Sequence, residues 1–127
     1  MDMRPRILVV DEPTIADTLR SCLEGEGYEV ETAWSIRRAM WEMEQREFAL
    51  ALVGRILVDG HSLHLLRLLK SKNPALEVII MTGSSSNAVA TEAIKEGAFD
   101  CLYKPFALEE MLTVVDRALK RRNGLGE

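Results

Sequence analysis

Residues 48–54 read FALALVG, an apolar run of strand length that ends on a glycine. The six residues before Gly54 show no alternation between apolar and polar side chains. Such a run is typical of a buried strand whose two faces are both covered by helices, as in a parallel sheet. Gly54 and Arg55 then lie where the strand meets its loop. Open α/β sheets place their functional groups at this end of the strands.

The rest of the chain repeats this pattern of apolar runs separated by segments of helical periodicity. The predicted strands are Arg6–Val10, Tyr28–Thr32, Ala49–Val53, Glu77–Met81 and Phe99–Tyr103. Pro13 can occupy the first turn of a helix, Ser84–Ser86 can cap another, and Gly27 and Gly97 lie where helices should stop. Five strands alternating with five helices predict an α/β fold with a five-stranded, doubly wound parallel sheet, (βα)5.

Composition indicates one domain and excludes several classes of function. The chain has 127 residues, of which 47% are hydrophobic and 28% charged, enough for a single core. A net charge of -4 argues against binding to nucleic acid or an acidic membrane. We interpret the basic run Lys120–Arg122 as complementing the dipole of a last helix. We expect residues 1–122 to form the domain and 123–127 a tail or the start of a linker.

The cysteine content and the N-terminal sequence indicate a reducing, cytoplasmic setting. Cys22 and Cys101 are the two cysteines of the chain, too few and too far apart for a disulfide framework or a zinc site. No stretch at the N-terminus resembles a signal peptide or a membrane span.

Four polar residues follow predicted strands and should meet at one rim of the sheet: Asp11, Glu12, Thr82 and Lys104. Carboxylates can hold Mg²⁺, a hydroxyl can bond a phosphoryl oxygen, and an ammonium group can neutralise another. Each residue alone also fits a structural role, as a loop carboxylate, a loop hydroxyl or a surface lysine. Together they are compatible with phosphoryl transfer.

The segments RILVVDEP (6–13), VIIMTGSSS (78–86) and AIKEGAFDCLYKPFALEEML (93–112) resemble the receiver domain of two-component response regulators, particularly of NtrC-type transcriptional activators. The resemblance runs from about Arg6 to about Leu119. It implies a CheY-like, flavodoxin-like fold, Mg²⁺ in an acidic cluster, and an aspartate after the third strand that accepts a phosphoryl group from a histidine kinase. It also implies that Thr82 and Lys104 sense phosphorylation and that the Lys104–Pro105 bond is cis.

The sequence departs from this family at the acceptor, where it has Gly54. This alignment puts Leu63, Leu65 and Leu66 on the expected face of the third helix, whereas an alignment on Asp59 misplaces them. Glycine has no side-chain nucleophile, so an acyl phosphate cannot form at position 54. The position is therefore equivalent to the acceptor without having its chemistry.

Two further departures affect the same rim. The acidic loop VVDEP is one residue shorter than the family's usual pattern and offers only Asp11 and Glu12 as metal ligands, which leaves Mg²⁺ binding open. Cys101 stands where the family usually has an aromatic switch residue. Without an acceptor carboxylate, Lys104 is expected to pair with Asp11 or Glu12. Arg55 can either reach into the acidic pocket or face solvent.

We therefore expect a receiver-like domain that is not an enzyme and that regulates through protein contacts without phosphorylation. The resemblance implies contacts, including a homodimer, through the fourth helix, fifth strand and fifth helix, and control of a transcriptional output domain. It makes a histidine kinase partner questionable, because there is no acceptor. We expect no direct binding to nucleic acid or membrane.

Other interpretations stay open. The domain could be a phosphorelay receiver with a substitute acceptor, for which Asp59, Ser84 and Ser85 are the candidates. It could also be a flavodoxin-like binder of flavin or nucleotide, with TGSSSN (82–87) as an anion cradle at a helix N-terminus.

Two pairs of side chains also have alternative roles. His61 and His64 lie three residues apart, and we expect capping or exposed positions rather than a metal site. Trp34 and Trp41 are expected in the core or on a partly covered surface, whereas exposure of both would indicate a partner surface.

Overall fold

The computed structural model describes residues 4–54, 56–83 and 87–124. The elements in these residues are β1 (Arg6–Val10), α1 (Pro13–Gly25), β2 (Glu29–Ala33), α2 (Ile36–Gln45), β3 (Leu50–Gly54), β4 (Ile56–Leu57), β5 (Gly60–His61), α3 (Ser62–Lys72), β6 (Glu77–Thr82), α4 (Asn87–Lys95), β7 (Asp100–Tyr103) and α5 (Leu108–Arg122).

The main sheet has five parallel strands in the order β2-β1-β3-β6-β7, which confirms the predicted doubly wound α/β fold. The predicted strands differ from the observed ones by a single residue at one or both ends in four of five cases. An antiparallel pair, β4 and β5, was not predicted. Strands of two residues are too short to show a hydrophobic period.

Helices cover both faces of the sheet, and strand β3 shows how the apolar run is used. Its residues Leu50 and Leu52 pack into a core layer with α1 and α5. Ala51 and Val53 alternate with them and pack into the opposite layer with α2, α3 and α4. Because both faces are covered, every position of this strand is buried, as its continuous apolar character predicts.

Helix ends agree with the sequence signals where the structure describes them. Pro13 is the first residue of α1. Gly27 and Gly97 follow α1 and α4 with φ of 94° and 106°, a conformation that favours glycine. The predicted cap Ser84–Ser86 lies outside the described residues. Lys120–Arg122 form the last turn of α5, at the negative end of its dipole.

The last turn of α5 is anchored to the sheet by one of these basic residues. The guanidinium of Arg121 donates from Nε and Nη2 to the two carboxylate oxygens of buried Glu77, over 3.0 and 2.6 Å. It also lies 4.5 Å from the ring centroid of Phe99. The side chain therefore has a structural role, holding the end of α5 against the start of β6.

The remaining motifs take surface positions. Trp34 and Trp41 are 54% and 45% exposed, so neither belongs to the core. His61 caps α3, accepting the Leu63 N–H at Nδ1 over 3.1 Å, and His64 is exposed. Within the described residues, no helix has the length and apolar character needed to cross a membrane.

Candidate functional site

Strand register brings the predicted rim residues together. Val10 lies opposite Val53, so Asp11, the next residue after β1, is beside Gly54. On the far side of β3, β6 ends at Thr82, and the Lys104 N–H donates to the Thr82 carbonyl over 2.7 Å. The Lys104–Pro105 peptide bond is cis, as the resemblance implied.

Asp11 is the centre of this rim. It is 5% exposed, and its carboxylate is held at both oxygens. Oδ2 accepts a hydrogen bond from Lys104 Nζ at 2.8 Å, and Oδ1 accepts one from the Glu12 N–H at 2.7 Å. Lys104 was expected to pair with Asp11 or Glu12, and in the structure its partner is Asp11. A buried carboxylate requires such partners, because burial without them is costly.

Gly54 leaves the space that this carboxylate fills. A Cβ atom at position 54 would lie 2.7 Å from both Cγ and Oδ2 of Asp11 and 3.0 Å from Oδ1. These separations are shorter than van der Waals contact, so the present position of Asp11 depends on the absence of a side chain at Gly54. The sequence indicated that Gly54 lies at this rim, but no sequence signal indicated the carboxylate lying over it.

The donor atoms at the rim do not fit a Mg²⁺ site. Both oxygens of Asp11 already accept hydrogen bonds, Gly54 has no ligand atom, and Glu12 is exposed at the start of α1. Among the described residues, no three carboxylate, imidazole or thiol side chains form a cluster able to hold a metal. Asp11 and Glu12 therefore do not supply a converging ligand set in this arrangement.

Of the three predicted sensing and switch positions, Lys104 pairs with Asp11, and Thr82 and Cys101 are also engaged within the fold. Thr82 is fully buried, and its hydroxyl donates to the Gly83 carbonyl over 3.2 Å. Cys101 is partly buried against the core layer of α2, α3 and α4. Burial, with a smaller effect from the charge of Asp100, raises the pKa of the Cys101 thiol to about 11. The thiol is therefore protonated and unreactive at neutral pH.

Asp59, one candidate substitute acceptor, is committed elsewhere. Its Oδ1 and Oδ2 accept the backbone N–H groups of Ile36 and Arg37 over 2.7 and 3.0 Å, at the start of α2. Partial desolvation raises the pKa of Asp59, but these hydrogen bonds and the charge of Arg37 outweigh it and hold the pKa below its usual value. No local sequence signal shows this capping role, because the partners are 23 residues apart.

Three other candidates fall outside the described residues. Arg55, considered as a group reaching into the acidic pocket, is one of them. Ser84 and Ser85, considered as acceptors and as part of the TGSSSN cradle, are the others.

Two clefts flank the Asp11–Lys104 pair. One, of about 320 Å³, lies between α1 and the end of β2, with Pro13, Ala16 and Trp34 in its walls. The other, of about 330 Å³, is lined on the Lys104 side by Ile15 and Phe106. Their largely apolar walls suit the side chain of a protein partner better than a hydrated ion.

Comparison with known sequences identifies relatives of this chain. The profile of the family "Response regulator receiver domain" matches residues 7–116. The chain is 38% identical over 114 residues to the transcriptional regulatory protein ZraR of Escherichia coli O157:H7, a match that covers 89% of this chain and 26% of ZraR. The chain thus spans about a quarter of the length of this relative.

Receiver domains are also found among the solved structures that resemble this chain. The beryllofluoride-activated NtrC4 receiver domain dimer superimposes with a TM-score of 0.87 at 34% identity, covering 92% of this chain and 98% of that one. A CheY-like receiver domain protein from Methanospirillum hungatei JF-1 superimposes with a TM-score of 0.90 at 31% identity, covering 97% and 99%. With the profile covering most of its length, the chain belongs to the response regulator receiver domain family.

Proposed function

We propose that this receiver domain is a regulatory module that acts through protein contacts, without accepting a phosphoryl group and without enzymatic activity. In this proposal it resides in the cytoplasm and controls a transcriptional output domain, as the names of relatives such as ZraR suggest. Its conformational equilibrium is then set by partner binding or fixed in one state, because only differential binding to two states can shift a population.

One observation supports this proposal above the others. The Asp11 carboxylate lies against Gly54 and binds Lys104 Nζ at 2.8 Å. An internal carboxylate thereby neutralises the lysine that would otherwise meet an acceptor or its phosphoryl group. The pocket thus contains its own carboxylate, and an anion placed there would compete with it for the same ammonium group.

The switch positions support the same function. The Thr82 hydroxyl is buried and already donates to the Gly83 carbonyl. Cys101 has neither the size of an aromatic side chain nor a reactive thiolate. Neither residue is poised to report a phosphoryl group at position 54.

The proposed partner surface lies on α4, β7 and α5. One large apolar side chain is exposed on each of the three elements: Ile94, Tyr103 and Leu108. Exposed apolar side chains on neighbouring elements are a feature of protein interfaces. The NtrC4 receiver domain, a structural relative, is described as a dimer in its beryllofluoride-activated form. We propose that this surface mediates a homodimer here without activation.

Phosphorylation is the property to test. The domain is incubated with acetyl phosphate and Mg²⁺, and its intact mass is measured beside a receiver that retains its acceptor aspartate. The expected result is an unchanged mass for this chain and a gain of one phosphoryl group for the reference. A stoichiometric gain on this chain overturns the proposal and favours a substitute acceptor.

A further inference from the structure

The exposed large apolar side chains of the described residues fall into two groups. Ile94, Tyr103 and Leu108 belong to the proposed dimer surface. The other group is Trp34, Trp41 and Val58, which are 54%, 45% and 82% exposed. The dimer surface does not account for this second group.

The second group lies on and beside helix α2. Trp34 precedes Ser35, the N-cap residue of this helix, and Trp41 lies on its exposed side. Val58 lies in the turn between β4 and β5, and the next residue, Asp59, binds the first backbone N–H groups of α2. A Cβ at Gly60 would approach Ile36 Cδ1 to 2.6 Å, so glycine allows this turn to pack closely on the helix.

Two arginines complete this surface. Arg37 and Arg38 are exposed in the first turn of α2, which contains no acidic residue. Cations at a helix N-terminus oppose the helix dipole, so these positions are unfavourable for helix stability alone. The guanidinium of Arg38 lies 4.0 Å from the ring centroid of Trp41. We call Trp34, Arg37, Arg38, Trp41 and Val58 the α2 surface.

Two carboxylates near the α2 surface are already engaged by groups of the fold. Glu42, 3.6 Å from Arg38, is buried and also pairs with Arg46. Asp59 directs both oxygens to backbone N–H groups. Arg37 and Arg38 are thus the exposed charges of the first turn of α2, while the exposed Asp17 lines the cleft beside Trp34.

We propose that the α2 surface is a docking site for an acidic segment of another protein that carries an aliphatic or aromatic anchor. Tryptophan and arginine are the residues most enriched where binding energy concentrates in interfaces. The segment's carboxylates meet Arg37 and Arg38, and its anchor packs against Trp34, Trp41 and Val58. This site lies on a different helix from those of the proposed dimer surface.

The two tryptophans make the test direct, because they are the only two in the chain and both lie on this surface. The probe is a synthetic peptide of glutamates interspersed with leucine and phenylalanine. One control peptide replaces each glutamate by lysine, and another replaces each leucine and phenylalanine by alanine. Binding is followed by tryptophan fluorescence and by the indole N–H signals of Trp34 and Trp41 in NMR spectra.

The acidic apolar peptide is expected to give a saturable change at both indoles that weakens with added salt. The double substitution Arg37→Glu with Arg38→Glu should weaken binding at least tenfold, while Leu108→Ala on the dimer surface should leave it unchanged. Glutamates in the first turn favour the helix dipole, but Arg38→Glu also places a carboxylate four residues from buried Glu42. The glutamine pair Arg37→Gln with Arg38→Gln removes the same two charges without that repulsion and provides a second version of the test.

Three outcomes overturn the proposal. The first is an equal response to the lysine peptide. The second is the absence of a saturable change at millimolar peptide. The third is an indole signal that changes with protein concentration alone, which would assign the α2 surface to a second copy of the chain.

Discussion

Position 54 and the Asp11 carboxylate are coupled through the space they share. A Cβ at Gly54 would come within 2.7 Å of Asp11, and a carboxylate as buried as that of Asp11 needs the ammonium of Lys104. A glycine inside a strand contributes no packing of its own. Here the neighbouring aspartate fills the space instead. The space at Gly54 and the pairing of Asp11 with Lys104 are therefore parts of one arrangement of the rim.

Substitutions at Gly54 should reveal this coupling. Gly54→Ala adds only the Cβ and should lower the free energy of unfolding by about 1–3 kcal/mol, because Asp11 must move in a closely packed rim. Gly54→Asp adds a second carboxylate beside Asp11 and, in EDTA, should lower the free energy of unfolding at least as much. Unlike the alanine variant, it should regain stability in Mg²⁺, since a ligand that binds the folded state stabilises it.

Urea unfolding of both variants and the wild type, with and without Mg²⁺, measures these effects. An alanine variant as stable as the wild type would show that Asp11 does not lie against Gly54 in solution. A Gly54→Asp variant that ignores Mg²⁺ would show that the shortened acidic loop no longer supplies a second ligand.

The Asp11–Lys104 pair can be examined by a double-mutant cycle. Lys104→Met leaves the Glu12 N–H bonded to the buried Asp11 carboxylate and removes the ammonium group, and we expect the free energy of unfolding to fall by about 1–3 kcal/mol. Asp11→Asn keeps the shape and removes the charge. The two substitutions together should cost less than their sum, with a coupling energy of about 0.5–3 kcal/mol.

The control for this cycle is Lys120→Met on α5. Lys120 pairs with Asp116 at 3.1 Å, and both side chains are more than half exposed. We expect a change of no more than about 0.5 kcal/mol, because exposed pairs contribute little. Additive effects of Lys104→Met and Asp11→Asn would contradict the pairing.

Helix α2 depends on groups outside its own sequence at its N-terminus. Ser35 Oγ accepts the Arg38 N–H over 2.9 Å, and Asp59 accepts the N–H groups of the two preceding residues from another loop. With arginines in place of acidic residues in the first turn, the carboxylate that complements the helix dipole comes from Asp59. The turn between β4 and β5 thus contributes to the stability of α2.

This cap should make stability depend on pH in a defined direction. Folding lowers the pKa of Asp59. The stability that this carboxylate adds to the folded state is therefore complete above its unfolded pKa of about 3.9, and it is lost as pH falls through the lower folded pKa. Asp59→Asn removes the charge and one of the two acceptor oxygens, so it should cost about 1 kcal/mol near neutral pH and flatten the acid limb of the stability curve. Urea midpoints of both proteins between neutral and acidic pH measure this. Parallel curves would rule out the capping role.

Viewed as a whole, the molecule shows which features local sequence patterns can predict. The continuous run Ala49–Val53 and the helical periodicities around it predicted the sheet, because burial on both faces has a direct compositional signature. The polar residues that follow the strands at this rim, Asp11, Thr82 and Lys104, could also be named from the sequence. The position of Asp11 against Gly54 and the cap from Asp59 depend on contacts between distant segments, so no local pattern signals them.

Self-association should be independent of phosphoryl chemistry if α4, β7 and α5 form a permanent dimer surface. Ile94→Asp and Leu108→Asp place a charge among exposed apolar side chains and should each raise the dimer dissociation constant at least tenfold, about 1.4 kcal/mol. Trp41→Ser, on the α2 surface, should leave it unchanged. Beryllofluoride with Mg²⁺ should also have no effect, because Gly54 offers no carboxylate to bind it. Sedimentation equilibrium measures the dimer dissociation constant in all four cases. Tighter association in beryllofluoride would contradict a permanent dimer surface. Dimerisation that is insensitive to Leu108→Asp would contradict its place on α4, β7 and α5.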